Sequence, residues 1–589
     1  CLLPWLVAAS LGAQDQGSPP GRVARLSFTQ GNVSFQPSGE SQWSTASPNY
    51  TVSTGDRLYT DQGARVELEV GPFAVRMSQT TDLTLVNLND QLMQLGLGQG
   101  SVRVTVYELP QSNSVEIDTP NGALTIQQPG SYRVDIDPNQ GSTLVSVNGG
   151  SLEVTGGGIS QPVNSGQAAQ LTGTGPIQVN LVALPNPDDF DQWCASRDRR
   201  IESYSSRQYV NPYTPGAEDL DQYGQWNTVP QYGPVWYPAG VAAGWVPYRV
   251  GHWAWVEPWG WTWVETEPWG FCPFHYGRWA FIGSRWGWMP GPVAVVPFYS
   301  PALVAFVGGS GFSVGVSFGG GFGLAAWFPL GPSEPFIPWY HYTPTYLRQV
   351  NITNVRNVTV INNYINTTNI NVTNIKYQYK TVGVTAVSGD VLRSGQPVAA
   401  HIVRIPPEQI AKAQVIAHPA IAPAQTAVFG GRAPVKAPPV RAAVTAPPRV
   451  AVQVTRGGQP AERPTPEALA ARSAPPPAEA HTPAPAVPER SPAPATNRVT
   501  PAPTSTRAGP PAARPAFVTK TPPPERDVPF AQHETALQQH PGRPLEPQQE
   551  QNLRQGRPAG PPQDREVLPH EAAPKPAPRP EPKPAPKPK

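Results

Sequence analysis

The feature that most constrains this fold is an alternation of apolar and polar residues between 22 and 183, interrupted at short intervals by Gly, Asn or Pro. The stretches 65–70 (RVELEV) and 131–136 (SYRVDI) place apolar side chains at every second position. That period is typical of β-strands with one face on a core, whereas a helix would repeat every 3.6 residues. Asn-Gly pairs at 121–122 and 148–149 favour tight hairpins. The pattern predicts an all-β domain over 22–183.

A series of motifs inside this domain carries a family resemblance. The segment GDRLYTDQGARVELEV at 55–70 is followed, in order, by QGSVRVTV, VEIDTPNGALTI, PGSYRVDI and VNSGQAAQL. The series resembles the FecR-type periplasmic domain over most of residues 22–173. The resemblance implies an extracytoplasmic β domain. In the best-known members, this domain follows a cytoplasmic anti-sigma segment and a membrane helix. A transmembrane signalling regulator that controls a sigma factor is therefore one alternative function.

Tryptophan is concentrated in a second stretch, where 12 of the 17 Trp residues lie between Trp226 and Trp288. The motif GHWAWVEPWGW at 251–261 returns as GRWAFIGSRWGW at 277–288, with one residue inserted. Short internal repeats of this kind predict repeated β-hairpins that bury their faces on one another. This Trp/Gly-rich stretch resembles a bacterial family of unknown function that is often fused to FecR-type domains. A second β domain is therefore predicted over 223–345.

Five tryptophans of this second domain share one predicted strand face. They are Trp253, Trp255, Trp259, Trp261 and Trp263. One interpretation is an aromatic platform that stacks on the sugar rings of a glycan. The other is a core, because each buried Trp removes up to about 250 Å² from water and a small β unit needs such filling. We favour the core, and the platform remains the alternative.

Several ionisable residues lie among these rings and raise the question of catalysis or metal binding. They are His252, Glu257, Glu265, Glu267 and His275. Paired carboxylates serve glycosidases and histidines bind metals, but no H-x-x-x-H, C-x-x-C or nucleophile motif is present. Glu257 and Glu267 fall in matching EPWG turns, as a repeated hairpin requires. We predict no enzyme activity, no cofactor and no metal, with a glycan-acting hydrolase as a second alternative.

The N-terminal residues and the cysteines bear on where the protein works. Residues 1–13 read as the apolar region of a truncated signal peptide, cleaved near Ala13. Export is therefore expected, to the periplasm or the cell envelope. Cys194 and Cys272 then remain, and in an oxidising compartment they could form a disulfide or stay as two buried thiols. The sequence leaves both open.

The C-terminal third is rich in proline and poor in large apolar residues. Of the 77 prolines, 44 follow residue 400, where the only aromatic residues are Phe429, Phe517 and Phe530. Such a composition is typical of chains that cannot offset the entropy cost of folding. The predicted order is a signal peptide and linker (1–21), the FecR-like domain (22–183), a polar connector with one helix at 189–203 (184–222), the Trp/Gly-rich domain (223–345), an Asn/Thr/Ile/Val-rich tract (346–382) and a disordered Pro/Ala-rich tail (383–589).

These features together predict a non-enzymatic extracytoplasmic envelope protein that binds or scaffolds through its β domains. The net charge is +2 and charged residues make up 14% of the chain, so its bulk electrostatics do not favour a nucleic acid partner. No integral membrane span is expected. The expected partner is an envelope component, either peptidoglycan or another glycan, or an envelope protein.

Overall fold

Two sheets that share one long strand form the first β domain. The computed structural model describes residues 17–308, 323–355, 375–439, 517–525 and 527–561. Its first strands are β1 (Ala24–Gln30), β2 (Val33–Gln36), β3 (Ser44–Thr45), β4 (Thr51–Val52), β5 (Arg57–Thr60), β6 (Arg65–Val70), β7 (Phe73–Met77), β8 (Asp82–Leu88) and β9 (Leu92–Val106). They are followed by β10 (Ser114–Asp118), β11 (Ala123–Ile126), β12 (Gly130–Asp137), β13 (Ser142–Val147), β14 (Ser151–Gly156), β15 (Ile159–Asn164), β16 (Gln167–Thr172) and β17 (Gln178–Val182).

The shared strand is β9, whose two halves pair in different sheets. One sheet has the order β4-β1-β6-β7-β9-β12-β13-β16-β17 and the other β3-β2-β5-β8-β9-β10-β11-β14-β15. The β9–β10 pair is parallel and the other pairs are antiparallel. The changeover falls beside Gly100, which has φ +81° and where a Cβ would lie 2.4 Å from Thr81 Oγ1. The predicted all-β domain is confirmed.

The Trp/Gly-rich region is also built from β-hairpins, arranged in three small sheets. Its strands are β18 (Gly224–Val229), β19 (Gly233–Pro238), β20 (Gly251–Val256), β21 (Gly260–Glu265), β22 (Arg278–Ile282), β23 (Arg285–Met289), β24 (Val304–Gly308), β25 (Leu324–Pro329), β26 (Thr385–Ser388) and β27 (Gln414–Ile416). The orders are β18-β19-β23-β22, β20-β21 and β26-β25-β24-β27. The two sequence repeats form the β20–β21 and β22–β23 hairpins, as predicted.

Helices are few and short among the described residues. They are α1 (Asp189–Ser203), α2 (Leu220–Tyr223), α3 (Phe271–His275), α4 (Pro344–Asn351), α5 (Gly389–Ser394), α6 (Pro407–Lys412), α7 (Gln425–Val428), α8 (Phe530–Gln539) and α9 (Pro547–Arg554). Helix α1 occupies the range that the sequence predicted. It begins at a capping box, in which Asp188 accepts from the backbone N–H of Asp191 and the Asp191 side chain accepts from that of Asp188.

A buried ion-pair network around Arg25 of β1 joins the two β domains. The guanidinium lies 3.3 Å from Glu69 of the same sheet and 2.5 Å from Asp219, which precedes α2. It also donates to Asn49 Oδ1 and to the carbonyl oxygen of Pro268. Because a buried cation needs its partners, this network fixes the connection between the domains.

Parts of the region 383–589, predicted as a disordered tail, are folded onto the β domains. Strand β26 pairs with β25 and strand β27 pairs with β24, so two tail segments complete a sheet of the second domain. Helices α5 to α9 also lie in this region. An unpaired sheet edge can recruit even a three-residue strand, although composition argues against folding there. The predictions for 1–16, 309–322, 356–374, 440–516 and 562–589 lie outside the described residues.

Candidate functional site

The five tryptophans proposed as a sugar platform are core residues. In the β20–β21 hairpin Trp253 faces Trp263 and Trp255 faces Trp261, with ring centroids 5.5 and 5.2 Å apart. All five rings, including Trp259 in the turn, are between 0 and 2% exposed. The platform alternative therefore needs correction, since rings buried in this way cannot stack on a sugar in the folded state.

Tail segments contact the hairpin, and both of its faces are buried. The indole Nε1 of Trp261 donates to the carbonyl oxygen of Ile421, and the N–H of Val398 donates to that of Gly251. Ala254 and Thr262, on the face opposite the rings, are fully buried as well. The sequence predicted one core face, and in the structure both faces are buried.

Most of the ionisable residues singled out in the sequence hold the structure together. Glu265 accepts from Trp263 Nε1 and from the Thr266 N–H, and burial raises its pKa to about 8. The Nδ1 of His275 lies 2.8 Å from the Ser300 carbonyl oxygen, and burial lowers the pKa of this imidazole to about 4. Burial likewise lowers the pKa of His252 to about 3. The backbone carbonyl oxygen of Glu267 accepts from Asn49.

The suggested disulfide is absent from the structure. Cys194 and Cys272 are both free and buried, the first in α1 and the second in α3. Burial raises the pKa of the Cys194 thiol to about 12. Of the two alternatives left open by the sequence, two buried thiols is the correct one.

An extended tail segment lies on the second sheet of the first domain. The Val518 N–H donates to the Thr119 carbonyl oxygen at 3.0 Å, in an antiparallel bridge just after β10. The Glu116 carboxylate accepts from the N–H groups of Lys520 and Thr521, at 2.7 and 3.0 Å, and from the Thr521 hydroxyl at 2.6 Å.

Side chains of neighbouring strands complete this docking site. Gln94 of β9, which is paired with Glu116, donates to the Thr521 carbonyl oxygen at 2.8 Å. The Phe517 ring lies over Gly96, where a Cβ would come within 2.5 Å of it. Lys520 forms an ion pair with Glu153 of β14 at 3.0 Å. We call Gln94, Gly96, Glu116, Thr119 and Glu153 the docking groove.

Glu257, one of the ionisable residues singled out in the sequence, borders a cavity. Its turn lies beside a cavity of about 370 Å³, which α8 and α9 also line. His533 of α8 and Glu550 of α9 approach it there, and one ligand atom of each of the three residues lies within 4.8 Å of the others. Burial raises the pKa of Glu257 to about 7, and the negative charge of Glu550 contributes to the shift. Carboxylate and imidazole groups of this kind are able to hold a metal ion.

Sequence reasoning missed the tail residues of both sites, although a signal was present. The three aromatic residues noted beyond residue 400 are contact points: Phe429 and Phe530 are buried, and Phe517 lies in the docking groove. In α8, Phe530, His533 and Leu537 follow helical spacing and are all buried. A large apolar residue in a proline-rich tail that has few of them was the signal that could have indicated these contacts.

Part of the chain matches a known protein family. Residues 217–334 match the model of a family of unknown function, DUF6600. The match falls on the predicted Trp/Gly-rich domain and supports its assignment to a domain of unknown function. No curated protein matches the chain.

Similarity to solved structures is slight. Two crystal structures of a Parabacteroides distasonis protein, whose suggested role is that of an anti-sigma factor, align with 11 and 12% identity. Each alignment covers 22% of this chain and 59% of the other, with a TM-score of 0.20, too low to indicate a shared fold. The FecR-type resemblance stays a prediction. Within the described ranges, no helix has the length and apolar character needed to cross a membrane.

Proposed function

We propose that this chain is a non-enzymatic protein of the cell envelope whose first β domain holds extended, proline-flanked peptide segments in a binding or scaffolding role. One observation carries the proposal: the docking groove binds residues 517–521 mainly through their backbone. Glu116 and Thr119 contact N–H groups, and Gln94 contacts a carbonyl oxygen. Backbone recognition of this type accepts a range of sequences in the extended conformation.

The groove also contains features that select among extended segments. Gly96 leaves space for one aromatic ring, and Glu153 attracts one cation three residues further along the peptide. Three prolines follow Thr521, and proline restricts the backbone before binding, which lowers the entropy cost of ordering the peptide. The expected ligand is therefore an aromatic–x–x–cation segment before a proline run. An envelope protein, or a second copy of this chain, would supply such a segment.

The experiment uses the full chain with its own segment weakened by Phe517→Ser and Thr521→Val. A labelled peptide with the sequence 517–525 is added, and binding is measured by fluorescence anisotropy. We expect saturable binding that Glu116→Gln weakens by about tenfold or more, because hydrogen bonds to a charged acceptor contribute about 1.5–3 kcal/mol. Equal binding to the Glu116→Gln form would contradict the proposal.

The envelope part of the proposal rests on the apolar start of the sequence and on the FecR-type resemblance. Cell fractionation should find the product outside the cytoplasm. Envelope extracts should yield a partner that the chain with the weakened segment retains better than its Glu116→Gln form does. An unprocessed cytoplasmic product would argue against this location.

Two other functions remain as alternatives, a regulator of a sigma factor and a glycan-acting hydrolase. The regulator is favoured if the partner retained from the extracts is a signalling protein of the envelope. The hydrolase is favoured if the full chain releases soluble sugars from cell-wall material.

A further inference from the structure

Three parts of the chain that are far apart in sequence bring metal-binding groups together beside the cavity. Glu257 belongs to the turn of the β20–β21 hairpin, His533 to α8 and Glu550 to α9. One ligand atom from each lies within 4.8 Å of the other two. Metal–ligand bonds of about 2.0–2.2 Å allow two ligand atoms of one ion to lie up to about 4.4 Å apart. Small side-chain rotations would therefore bring the three groups within bonding distance of a single ion.

Polar atoms of this cluster are buried without the partners that buried polar atoms normally have. His533 is 4% exposed, and its Nε2 has no hydrogen-bond partner among the described residues, although it lies 3.2 Å from Glu550 Oε2. The other Glu550 oxygen, Oε1, is also buried without a partner. Because a buried polar atom without a partner destabilises the folded state, atoms of this kind call for a ligand.

The remaining carboxylate is held in place and keeps one oxygen for a ligand. Trp255 Nε1 donates to Glu257 Oε1 at 2.7 Å, which orients the group as outer hydrogen bonds orient metal ligands. Within the described ranges, neither Glu257 nor Glu550 forms an ion pair with Lys or Arg. The nearby Asp527, in contrast, forms an ion pair with Arg554 at 2.6 Å. Among the residues that the structure describes, the basic group that pairs with this cluster is the His533 imidazole, whereas Arg554, which also lines the cavity, pairs with Asp527.

We propose that Glu257, His533 and Glu550 bind one divalent transition-metal ion, such as Zn²⁺ or Mn²⁺, with cavity water completing its coordination. Two carboxylates and one imidazole suit these ions, whereas Mg²⁺ and Ca²⁺ prefer all-oxygen sites. The cavity of about 370 Å³ provides space for the water ligands. The ion fastens α8 and α9 to the turn of the Trp hairpin, so it secures the C-terminal segment on the β domains.

The test is a titration of the full chain with Zn²⁺ after treatment with a chelator, followed by calorimetry. We expect one ion per chain and a higher melting temperature in its presence, because a ligand that binds only the folded state stabilises it. His533→Gln and Glu550→Gln should each weaken binding by at least about tenfold. His540→Gln, at the end of the same helix, is the matched control and should bind as the parent does.

A second measurement avoids dependence on the folding of the variants. A specific protease site is placed within 440–516, the chain is cut, and retention of the C-terminal fragment is measured with Zn²⁺ and with chelator. Faster release in chelator supports the proposal. Absence of one-to-one Zn²⁺ binding by the parent, or binding that survives all of Glu257→Gln, His533→Gln and Glu550→Gln, overturns it. Equal affinity for Mg²⁺ also overturns the assignment to a transition metal.

Discussion

At the scale of single residues, Trp255 and Phe281 occupy the same position of the repeated hairpin in different surroundings. Trp255 is 2% exposed and packs edge-on against Trp261, whereas Phe281 is 40% exposed and contacts Trp286. The tail covers the first hairpin, with helix α7 packed on β20. The side chain at this position therefore contributes differently to the free energy of unfolding in the two hairpins.

The matched pair gives a direct prediction on stability. Trp255→Ala should lower the free energy of unfolding by roughly 3–5 kcal/mol, as large-to-small aromatic substitutions in cores do. Phe281→Ala should cost about 1 kcal/mol or less, because much of the ring already contacts water. Chemical denaturation of both variants measures the difference. Similar small losses for both would show that the β20–β21 rings are not a core.

Glu265 gives a prediction on pH. Burial raises the pKa of its carboxyl group from 4.5 to about 8, so the folded state retains a proton that the unfolded state releases. The stability that this group contributes is complete below pH 4.5 and is lost as the pH rises towards 8, at about 1.4 kcal/mol per pH unit. Glu265→Gln cannot ionise and should lack this dependence.

The measurement compares denaturation at about pH 5 and about pH 8 for the parent and for Glu265→Gln. Relative to the variant, the parent should lose on the order of 3 kcal/mol over this interval. Glu408→Gln, at an exposed position of α6, is the control and should follow the parent. Parallel pH profiles for the parent and Glu265→Gln would contradict the assignment.

At the scale of elements, the docking groove depends on one position of β9 that has no side chain. Gly96 lies under the Phe517 ring, and a Cβ there would come within 2.5 Å of it. Gly96→Ala should displace the 517–521 segment while the β9 pairings with β8 and β10 persist. Hydrogen exchange at the Val518 and Thr521 N–H groups should accelerate by about tenfold or more, since a loss of about 1.4 kcal/mol corresponds to that factor. Unchanged exchange at these groups would contradict the packing.

Strands with one buried face were predictable, whereas short tail elements were not. The alternation in β12 predicted a strand because every second side chain enters the core. Strand β27 has three residues, too few to show a period, and its pairing depends on the exposed edge of β24. His533 and Glu550 meet Glu257 only after the tail folds back, a contact that no local pattern records.

At the scale of the whole molecule, tail segments contribute to both β domains. Val435 bridges to Trp43 of the first domain, while Ile416 pairs with Phe306 of the second. The Tyr50 hydroxyl donates to the Val428 carbonyl oxygen, close to the covered hairpin. Residues 383–439 therefore belong to the folded structure, although a domain boundary drawn from composition would exclude them.

Two truncations separate these roles. Ending the chain at residue 400 removes β27, α6 and α7 together with buried Ile410, Val415 and Ile421, so the melting temperature should fall by about 10 °C or more. Ending it at residue 561 keeps every described element and should leave the melting temperature within about 1 °C of the parent. Differential scanning calorimetry compares them. Equal melting of both would show that residues 401–561 do not stabilise the β domains.

The bridge between Thr119 and Val518 joins two residues that are synthesised at different times. About 400 residues separate its two ends, and translation at about 5–20 residues per second takes roughly 20–80 s to cover that distance. A groove that forms in this interval is free of residues 517–521. A competing peptide meets no intramolecular rival until the ribosome reaches the last part of the message. The chain's own segment is thus synthesised after the groove that holds it.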